Sequence, residues 1–233
     1  MNSKTVAIHQ PQYLPWIPYF DKILRSDFFI LLDNVQFQKN GMQNRNQIKT
    51  PQGAVWLTVP IKHSFGQLIS EVEISDVRSV VKHLKTVEMN YKKAPYYEQV
   101  FPMLASVVEK SPARLVNLNN ELLFQLLKYL QYQGEIVLAS DLDVEGEGSD
   151  LVLNICKEMK AKSYISGTGG KNYMNLTDFE KNRIQIVFQE FKEEEYPQMF
   201  EKIGFVKNLS IVDLLFNLGS KKSVQYIEEG RLN

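Results

Sequence analysis

A dense group of polar side chains follows the first apolar run of the chain. The run TVAI (5–8) leads directly into His9, Gln10, Gln12 and Tyr13, within the segment HQPQYLPW. A histidine side chain exchanges its proton near neutral pH, so His9 is a candidate general acid or base. Glutamine amides both donate and accept hydrogen bonds, and they can bind substrate hydroxyl or carbonyl groups. The alternative is a buried polar turn whose side chains only satisfy main-chain groups.

A second polar group follows the next apolar run, FFILLD (28–33), and contains Asp33, Asn34 and Gln36. The segment PWIPYFDKILRSD (15–27) between the two runs predicts a helix, so the region reads as a strand, a helix and a second, parallel strand. Because the carboxyl ends of parallel strands meet at one edge of a sheet, both polar groups are expected to converge there. Asp33 is therefore a second candidate for the catalytic base.

Two further segments contain groups that bind anions. Asn44 and Arg45 lie in QNRNQIK, which we interpret as a polar loop before the third strand, and an arginine–asparagine pair can bind phosphate or carboxylate. The second segment is a glycine-rich turn after the apolar run SYIS (163–166), and its main-chain amides and ammonium group could hold an anion. Its residues are Gly167, Thr168, Gly169, Gly170 and Lys171. The turn matches neither the phosphate loop GxxxxGK[ST] nor the dinucleotide motif GxGxxG. A solvated loop is the alternative for the first segment.

Composition and charge exclude several classes of protein. The chain has 233 residues, of which 44% are hydrophobic, which is enough for one large domain with its own core. The 27 Lys and Arg residues balance the 27 Asp and Glu residues, so no overall field attracts nucleic acid or an anionic membrane. Since no apolar run approaches the roughly 18 residues of a membrane span, we expect a cytoplasmic protein with no membrane insertion.

The cysteine and histidine content argues against a metal site. The single cysteine, Cys156, permits neither an intrachain disulfide nor a thiolate cluster, and His9, His63 and His83 lack the spacing of metal ligands. No metal is therefore expected, and no resident cofactor is indicated. ATP or an acyl-CoA remains a candidate co-substrate.

The order of apolar runs predicts an α/β fold. Six short runs rich in β-branched and aromatic residues read as strands, and several are continuously apolar, as in a mostly parallel sheet covered by helices on both faces. They are TVAI (5–8), FFILLD (28–33), VWLTVPI (55–61), EIVLAS (135–140), SYIS (163–166) and QIVFQEF (185–191). A hairpin around HSFGQ would make one edge of the sheet mixed. We predict a single α/β domain over 1–233, in which 76–133 forms a helical subdomain or cap. The apolar helices of that segment could instead form the interface of a homodimer.

The ordered blocks HQPQYLPW, YFDKILRSD, FFILLDNVQF, QNRNQIK, WLTVPI, NYKKAPYY, YISGTGGKNYM and LSIVDLLFNLG resemble the WbqC-like protein family from end to end. This resemblance implies a role in bacterial O-antigen (lipopolysaccharide) and other surface polysaccharide synthesis. It also implies transfer of an acyl or aminoacyl group, for example glycyl, to an amino sugar. His9, Gln12, Asp33, Arg45, Gly167 and Gly170 fall within these blocks.

A second resemblance concerns the amino-terminal region. The strand, the loop with His9, the helix and the segment NVQF (34–37) are similar to the start of pantothenate synthetase-type nucleotidylyltransferases, which adenylate a carboxylate and pass it to an amine. The chain departs from that family because QPQ follows His9 where the HxGH signature requires a second histidine.

The sequence thus predicts an enzyme that forms an amide on the amine of a nucleotide-linked amino sugar. In this hypothesis His9, or else Asp33, removes the proton of the attacking amine, and amides of Gly167 to Gly170 or of Gln12 bind the oxyanion. Arg45 and Lys171 would bind the diphosphate. The alternatives are an ATP-consuming nucleotidylyltransferase or ligase, and a scaffold that binds a nucleotide sugar without changing it.

Overall fold

A five-stranded parallel sheet forms the centre of the molecule. The structure is a computed structural model and describes residues 4–39 and 41–233. In chain order the strands are β1 (Thr5–His9), β2 (Phe28–Leu31), β3 (Arg45–Thr50), β4 (Gly53–Thr58), β5 (Ile61–Lys62), β6 (Glu73–Ile74), β7 (Glu135–Leu138), β8 (Ser163–Ser166) and β9 (Gln185–Phe188). The helices are α1 (Ile17–Leu24), α2 (Val77–Tyr91), α3 (Tyr97–Val108), α4 (Leu115–Tyr129), α5 (Gly148–Glu158), α6 (Leu176–Lys181) and α7 (Ile211–Glu229).

The central sheet has the strand order β7-β2-β1-β8-β9, and its neighbouring strands all pair in parallel. Numbered among themselves along the chain, these strands stand in the order 3-2-1-4-5, as in the first five strands of doubly wound nucleotide-binding sheets. The strand order reverses between β1 and β8, and ligands of such sheets bind in the crevice outside the carboxyl ends of the strands at this point. The predicted α/β fold with a mostly parallel sheet is confirmed.

The antiparallel strands lie outside the central sheet, and the hairpin predicted around HSFGQ forms only in part. β3 pairs with β4 from Arg45↔Thr58 to Thr50↔Gly53, so the predicted loop around Asn44 and Arg45 is wrong from Arg45 onward. The β4 strand therefore takes its partner from the preceding segment, through the tight turn at 51–52. Across the HSFGQ loop, only β5 and β6 pair, over two residues each.

Alternate residues of the strands supply two hydrophobic cores, one on each face of the sheet. Ala7, Phe29 and Leu31 belong to the larger core, which includes buried residues of α1, α2, α3, α4 and α7. Their neighbours Val6, Ile8 and Ile30 face the smaller core, with α5 and α6. Burial on both faces explains why these strands read as continuous apolar runs.

The segment between β2 and β7 contains both antiparallel pairs and three consecutive helices. α2 packs on α3, and α3 packs on α4 and on α7. Asp76 caps α2 by accepting a hydrogen bond from the amide of Arg78 at 3.1 Å. These helices share the larger core with the sheet. The division of one domain into a sheet and a subdomain at 76–133 remains a prediction.

A buried carboxylate ties the helical segment to the carboxyl-terminal helix. Asp213 of α7 is fully buried and accepts hydrogen bonds from the hydroxyls of Tyr91 (2.6 Å) and Tyr196 (2.8 Å). Burial raises the pKa of this carboxyl, while the two hydroxyls oppose that shift. Tyr91 also contacts β3, because its hydroxyl oxygen accepts a hydrogen bond from the amide of Lys49 at 3.0 Å.

The helices give no sign of a membrane span. Over residues 4–39 and 41–233, no helix combines the length and the apolar character that crossing a bilayer requires.

Candidate functional site

A buried lysine lies at the switch point of the sheet, on the helix that follows β1. Pro18 stands in the first turn of α1, where a missing amide proton costs nothing. Six of the eight residues of α1 are buried, and Lys22 is one of them, with 3% of its surface exposed. Its Nζ atom donates to the carbonyl oxygen of Ile8 at 3.5 Å.

The surroundings of Lys22 favour the neutral amine. Burial lowers the pKa of Lys22 from 10.5 to about 7, and the charge of Asp21 only partly opposes this shift. At neutral pH a substantial fraction of the side chain is therefore an uncharged amine, which is a base and a nucleophile.

The carboxylate of Asp21 is held by other partners. It accepts hydrogen bonds from Nε2 of Gln189 and from Nε of Arg231, both at 2.7 Å. Gln189 also donates to the carbonyl oxygen of Pro18 at 2.7 Å. These bonds fix α1 to the end of β9 and to the carboxyl-terminal segment, so the helix that bears Lys22 has a defined position.

His9 ends β1 beside Lys22 and is held in one orientation. Its Nδ1 lies 3.2 Å from the carbonyl oxygen of Gln10, and since a carbonyl only accepts, Nδ1 is the protonated nitrogen of this contact. The same oxygen accepts the Tyr19 hydroxyl at 3.2 Å, and the rings of His9 and Tyr19 pack edge to face at 4.8 Å. Burial, followed by the charge of Lys22, lowers the pKa of His9 from 6.5 to about 3. His9 is thus neutral at physiological pH, with Nε2 as a hydrogen-bond acceptor.

The glycine-rich turn after β8 passes directly over Lys22. Gly167 precedes a 3₁₀ turn, Thr168–Asn172, and the amide of Gly170 donates to the carbonyl oxygen of Gly167 at 3.0 Å. A methyl group added at Gly167 would lie 3.9 Å from Nζ of Lys22. A side chain at Gly170 would collide with Oγ of Ser166. The sequence GTGG therefore permits a close approach of main chain to the buried amine.

Two cavities meet at these residues. One has a volume of 480 Å³ and the other of 440 Å³, and both are lined by His9, Lys22, Gly167 and Gly169. Both volumes are in the range of small-molecule sites. The first, which we name the basic cavity, is also lined by Trp16, Tyr19, Phe191, Lys192, Glu193 and Lys207. The second, the neutral cavity, adds Gln10, Leu32, Gln38, Val152, Tyr164 and Ser166.

Several residues that the sequence predicts for the site line one of the cavities. His9, Gly167 and Gly169 line both, Thr168 lines the basic cavity, and Gln10 and Gly170 line the neutral cavity. Oε1 of Gln10 accepts from Nε2 of Gln43 at 2.7 Å, which orients this amide.

The residues predicted after β2 serve other contacts. Asp33 is buried and accepts hydrogen bonds from the amide (3.0 Å) and the hydroxyl (2.8 Å) of Ser140, so it holds the turn that follows β7. Gln36 is exposed and forms an isolated antiparallel bridge with Leu68. Oδ1 of Asn34 is buried and has no hydrogen-bond partner among the described residues.

The remaining predicted residues also lie outside the linings of both cavities. The hydroxyl of Tyr13 contacts Nδ1 of His83 at 2.9 Å, and Nδ2 of Asn44 donates to the carbonyl oxygen of Val59 at 3.0 Å. Arg45 stacks on Trp56 at 4.5 Å. The ammonium group of Lys171 lies 3.9 Å from the carboxylate of Glu190. Gln12 has a buried oxygen that, within the part of the chain described, accepts no hydrogen bond.

Reasoning from the sequence missed Lys22, Lys207 and the two aromatic residues Trp16 and Phe191. Lys22 sits in IPYFDKIL, which reads as an ordinary amphipathic helix with a solvated lysine. One feature could have indicated that Lys22 is buried. The helix α1 connects two adjacent parallel strands and has only eight residues, so little of its surface can face solvent. Lys207 belongs to a segment without regular structure, and the sequence gives no sign of its position.

A metal site and a reactive thiol each place requirements on the described residues. Within residues 4–39 and 41–233, no group of three or more His, Cys, Asp and Glu residues is arranged to hold a metal ion. Burial raises the pKa of Cys156 to about 12, so this residue is a protonated thiol in the core, away from both cavities. The arrangement offers a neutral amine, a neutral imidazole and a basic rim.

Comparison with known proteins identifies the family. The model of the WbqC-like protein family matches residues 10–225, which include Lys22, the glycine-rich turn after β8 and Lys207. An uncharacterised protein of Mycobacterium tuberculosis (strain ATCC 25618 / H37Rv), Rv1507c, is 33% identical over 222 residues, which cover 94% of this chain and 95% of the relative. The end-to-end resemblance seen in the sequence is thus confirmed, and the chain belongs to the WbqC-like protein family.

Proposed function

We propose that the chain is a transferase that joins an acyl or aminoacyl group to the amine of a nucleotide-linked amino sugar. The observation that carries this proposal is Lys22, a buried amine with a pKa of about 7 that lines two cavities at the switch point of the sheet. Amide formation requires a base whose pKa is near neutrality. The pKa of Lys22 is about 7, whereas that of His9 is lowered to about 3, and Asp33 lines neither cavity.

In the proposed reaction the sugar amine attacks the carbonyl carbon of the acyl donor. A nitrogen–carbon bond forms, the bond from that carbon to the leaving group breaks, and the proton of the attacking nitrogen passes to Nζ of Lys22. The ammonium group so formed lies beside the developing oxyanion and stabilises it. The amides of Thr168 and Gly169 begin the 3₁₀ turn, where the first amides have no partner within the turn, and in this proposal they serve as further donors.

His9 has a different role in this proposal. Because its pKa is lowered to about 3, it does not hold the proton of the amine. Its Nε2 accepts a hydrogen bond, which suits the orientation of the attacking amine or of a sugar hydroxyl before the reaction.

The biological setting follows from the family. The resemblance to WbqC-like proteins supports surface polysaccharide (O-antigen) synthesis, and nucleotide-linked sugars are cytoplasmic metabolites, so we place the reaction in the cytoplasm. The balance of 27 basic and 27 acidic residues accords with a small-molecule substrate in preference to nucleic acid.

One observation favours a second candidate, an ATP-dependent nucleotidylyltransferase or ligase. The strand order 3-2-1-4-5 and the position of His9 at the carboxyl end of β1 match the place where doubly wound sheets bind nucleotides. Such an enzyme would adenylate the carboxylate of the acyl donor and release pyrophosphate before the amide forms.

The test is a product assay with a matched variant. Purified protein is incubated with UDP- and dTDP-linked amino sugars, each with acyl-CoAs or with glycine and ATP, and products are identified by mass spectrometry. We expect the sugar mass to rise by that of the acyl group less the one hydrogen it replaces. This product should be absent with Lys22→Met, which keeps the length and apolar character of the side chain. Pyrophosphate release would select the ATP-dependent candidate. Binding of a nucleotide sugar that is recovered unchanged with every donor would favour a scaffold and contradict the proposal.

A further inference from the structure

The two cavities differ in charge although they share their central residues. Besides the shared His9 and Lys22, the basic cavity is lined by the cations Lys192 and Lys207 and by one anion, Glu193. Oε2 of Glu193 is occupied by the amide of Asn208 at 3.0 Å, and burial raises the pKa of this carboxyl, so the two lysines outnumber the one carboxyl group of the lining. The neutral cavity has no charged residue in its lining other than the shared ones.

The basic cavity also offers flat surfaces beside its cations. Trp16 and Phe191 line it and are both half-buried, so each exposes part of a ring to the cavity. A diphosphate linked to a nucleobase needs cations at one end and an apolar or stacking surface at the other. Lys192 forms an exposed ion pair with Glu194, of a kind that contributes little energy and that a phosphate can replace.

The neutral cavity suits an uncharged group. Leu32, Val152 and Tyr164 give it apolar walls, and Gln10, Gln38 and Ser166 supply polar atoms that carry no charge. A phosphate placed there would have no cation besides Lys22, whereas an acyl chain or an aminoacyl amide would bury apolar surface.

We propose that the two cavities bind the two substrates at the same time, the nucleoside diphosphate of the sugar in the basic cavity and the acyl group in the neutral cavity. This inference rests on the proposed function and adds to it the location of each substrate. The sugar amine and the carbonyl carbon then meet at Lys22 and Gly167, which line both cavities together with His9 and Gly169. The acyl group passes directly from donor to amine, as the nitrogen–carbon bond replaces the bond to the leaving group and the proton goes to Lys22.

The charge assignment is tested by binding, without turnover. Calorimetry with UDP, dTDP and inorganic pyrophosphate is compared in the wild type and in the double variant Lys192→Ala/Lys207→Ala, with Lys162→Ala as control. Lys162 is an exposed lysine just before β8, at the amino-terminal end of the strand, whereas the site lies at the carboxyl-terminal end. We expect the double variant to bind all three probes ~10- to 100-fold more weakly, as the loss of charged hydrogen bonds predicts, and the control to bind as the wild type does.

The separation of the cavities is tested with two variants that fill the neutral cavity. Leu32→Trp places a large side chain on a half-buried wall, and Gln38→Trp does so at an exposed position, where misfolding is not a concern. Each should leave the affinity for UDP within about twofold of the wild type, while turnover with long acyl groups falls more than turnover with short ones. In a Trp56→Phe protein that carries neither added tryptophan, fluorescence of Trp16 reports occupation of the basic cavity independently.

The outcomes separate this inference from the proposed function. A double lysine variant that binds the probes normally, a tryptophan variant that loses UDP binding, or a wild type that binds none of the three probes would overturn the assignment. Parallel lines in double-reciprocal plots, which indicate release of one product before the second substrate binds, would overturn simultaneous binding even if the enzyme forms amides. If the binding results are as expected but no pair of substrates yields an amide, the proposed function fails while the charge partition stands.

Discussion

Nζ of Lys22 points to the main-chain carbonyl oxygen of Ile8, 3.5 Å away in the interior of the fold. A carbonyl oxygen accepts a hydrogen bond from a charged ammonium group or from a neutral amine, so this contact survives the loss of the proton. A carboxylate in the same place would have kept the lysine charged. The contact with Ile8 therefore allows Lys22 to lose its proton inside the fold. Two predictions follow from this, one on stability and one on rate.

Replacement of Lys22 by methionine should stabilise the protein at low pH. The folded pKa of about 7 lies below the unfolded value of 10.5, so between these values the unfolded chain holds a proton that the folded protein lacks. The contribution of Lys22 to the free energy of unfolding is thus least favourable below pH 7 and improves as the pH rises toward 10.5. We expect Lys22→Met to be about 1–4 kcal/mol more stable than the wild type at pH 6, with a difference that shrinks toward pH 10. Urea denaturation at several pH values measures both proteins, and a constant difference would contradict a lowered pKa.

The rate of amide formation should depend on the same proton. In the proposed reaction Lys22 is the base, so kcat/KM should rise with pH around an apparent pKa of about 7. Lys22→Arg keeps a charge at every pH and should lower kcat by about 10²- to 10⁴-fold, without a dependence on pH in this range. The pH profiles of both proteins give the result. If Lys22→Arg retains the wild-type profile, another group is the base.

The two glycines of the turn should respond differently to alanine. A Cβ at Gly170 collides with Oγ of Ser166, which would have to give up its hydrogen bond to the carbonyl oxygen of Gly167 (3.1 Å). A Cβ at Gly169 has no neighbour within 4 Å. We expect Gly170→Ala to lower the free energy of unfolding by about 1–3 kcal/mol, and Gly169→Ala to leave it unchanged or to raise it by about 0.5 kcal/mol. Thermal denaturation of the pair is the measurement, and equal effects would show that Ser166 does not restrict the turn.

Substitution of Asp33 should lower the free energy of unfolding. Asp33→Ala removes the acceptor of both the amide and the hydroxyl of Ser140, which are partly buried, and should cost about 1–3 kcal/mol. Asp33→Asn keeps one acceptor oxygen and should cost less. Chemical denaturation of the two variants provides the comparison. A stable Asp33→Ala protein would mean that water replaces the carboxylate at Ser140.

The sheet and the positions of His9 and Gly167 at strand ends were predictable because they rest on local patterns. Continuous apolar runs marked the strands, and His9 and Gly167 could be placed at strand ends because each directly follows such a run. The partner of β4 was not predictable in this way. RNQIKT (45–50) has few apolar residues and reads as a loop, yet it pairs with β4 because the adjacent tight turn brings the two segments together.

The distribution of charge at the site depended on tertiary contacts. Arg45 and Lys171 have the residue types of an anion site, but they contact Trp56 and Glu190, which line neither cavity. Lys22 has an ordinary sequence context, and only the packing of α1 against the sheet lowers its pKa. Asp213 has the spacing of a helix cap with Ser210, whereas its carboxylate receives two tyrosine hydroxyls from distant segments.

The bond between Tyr91 and Asp213 has a consequence for the order of folding. It joins residues 122 positions apart, and such long-range contacts close late because the loop entropy must be lost first. The neighbouring helices α2, α3 and α4 can form beforehand from local contacts, and docking of α7 through Asp213 then completes the native state. For Asp213→Asn we expect faster unfolding with little change in the folding rate, which stopped-flow kinetics at several denaturant concentrations can measure. A slower folding rate instead would place this contact in the folding nucleus, and the carboxyl-terminal helix would then take part in the first organisation of the chain.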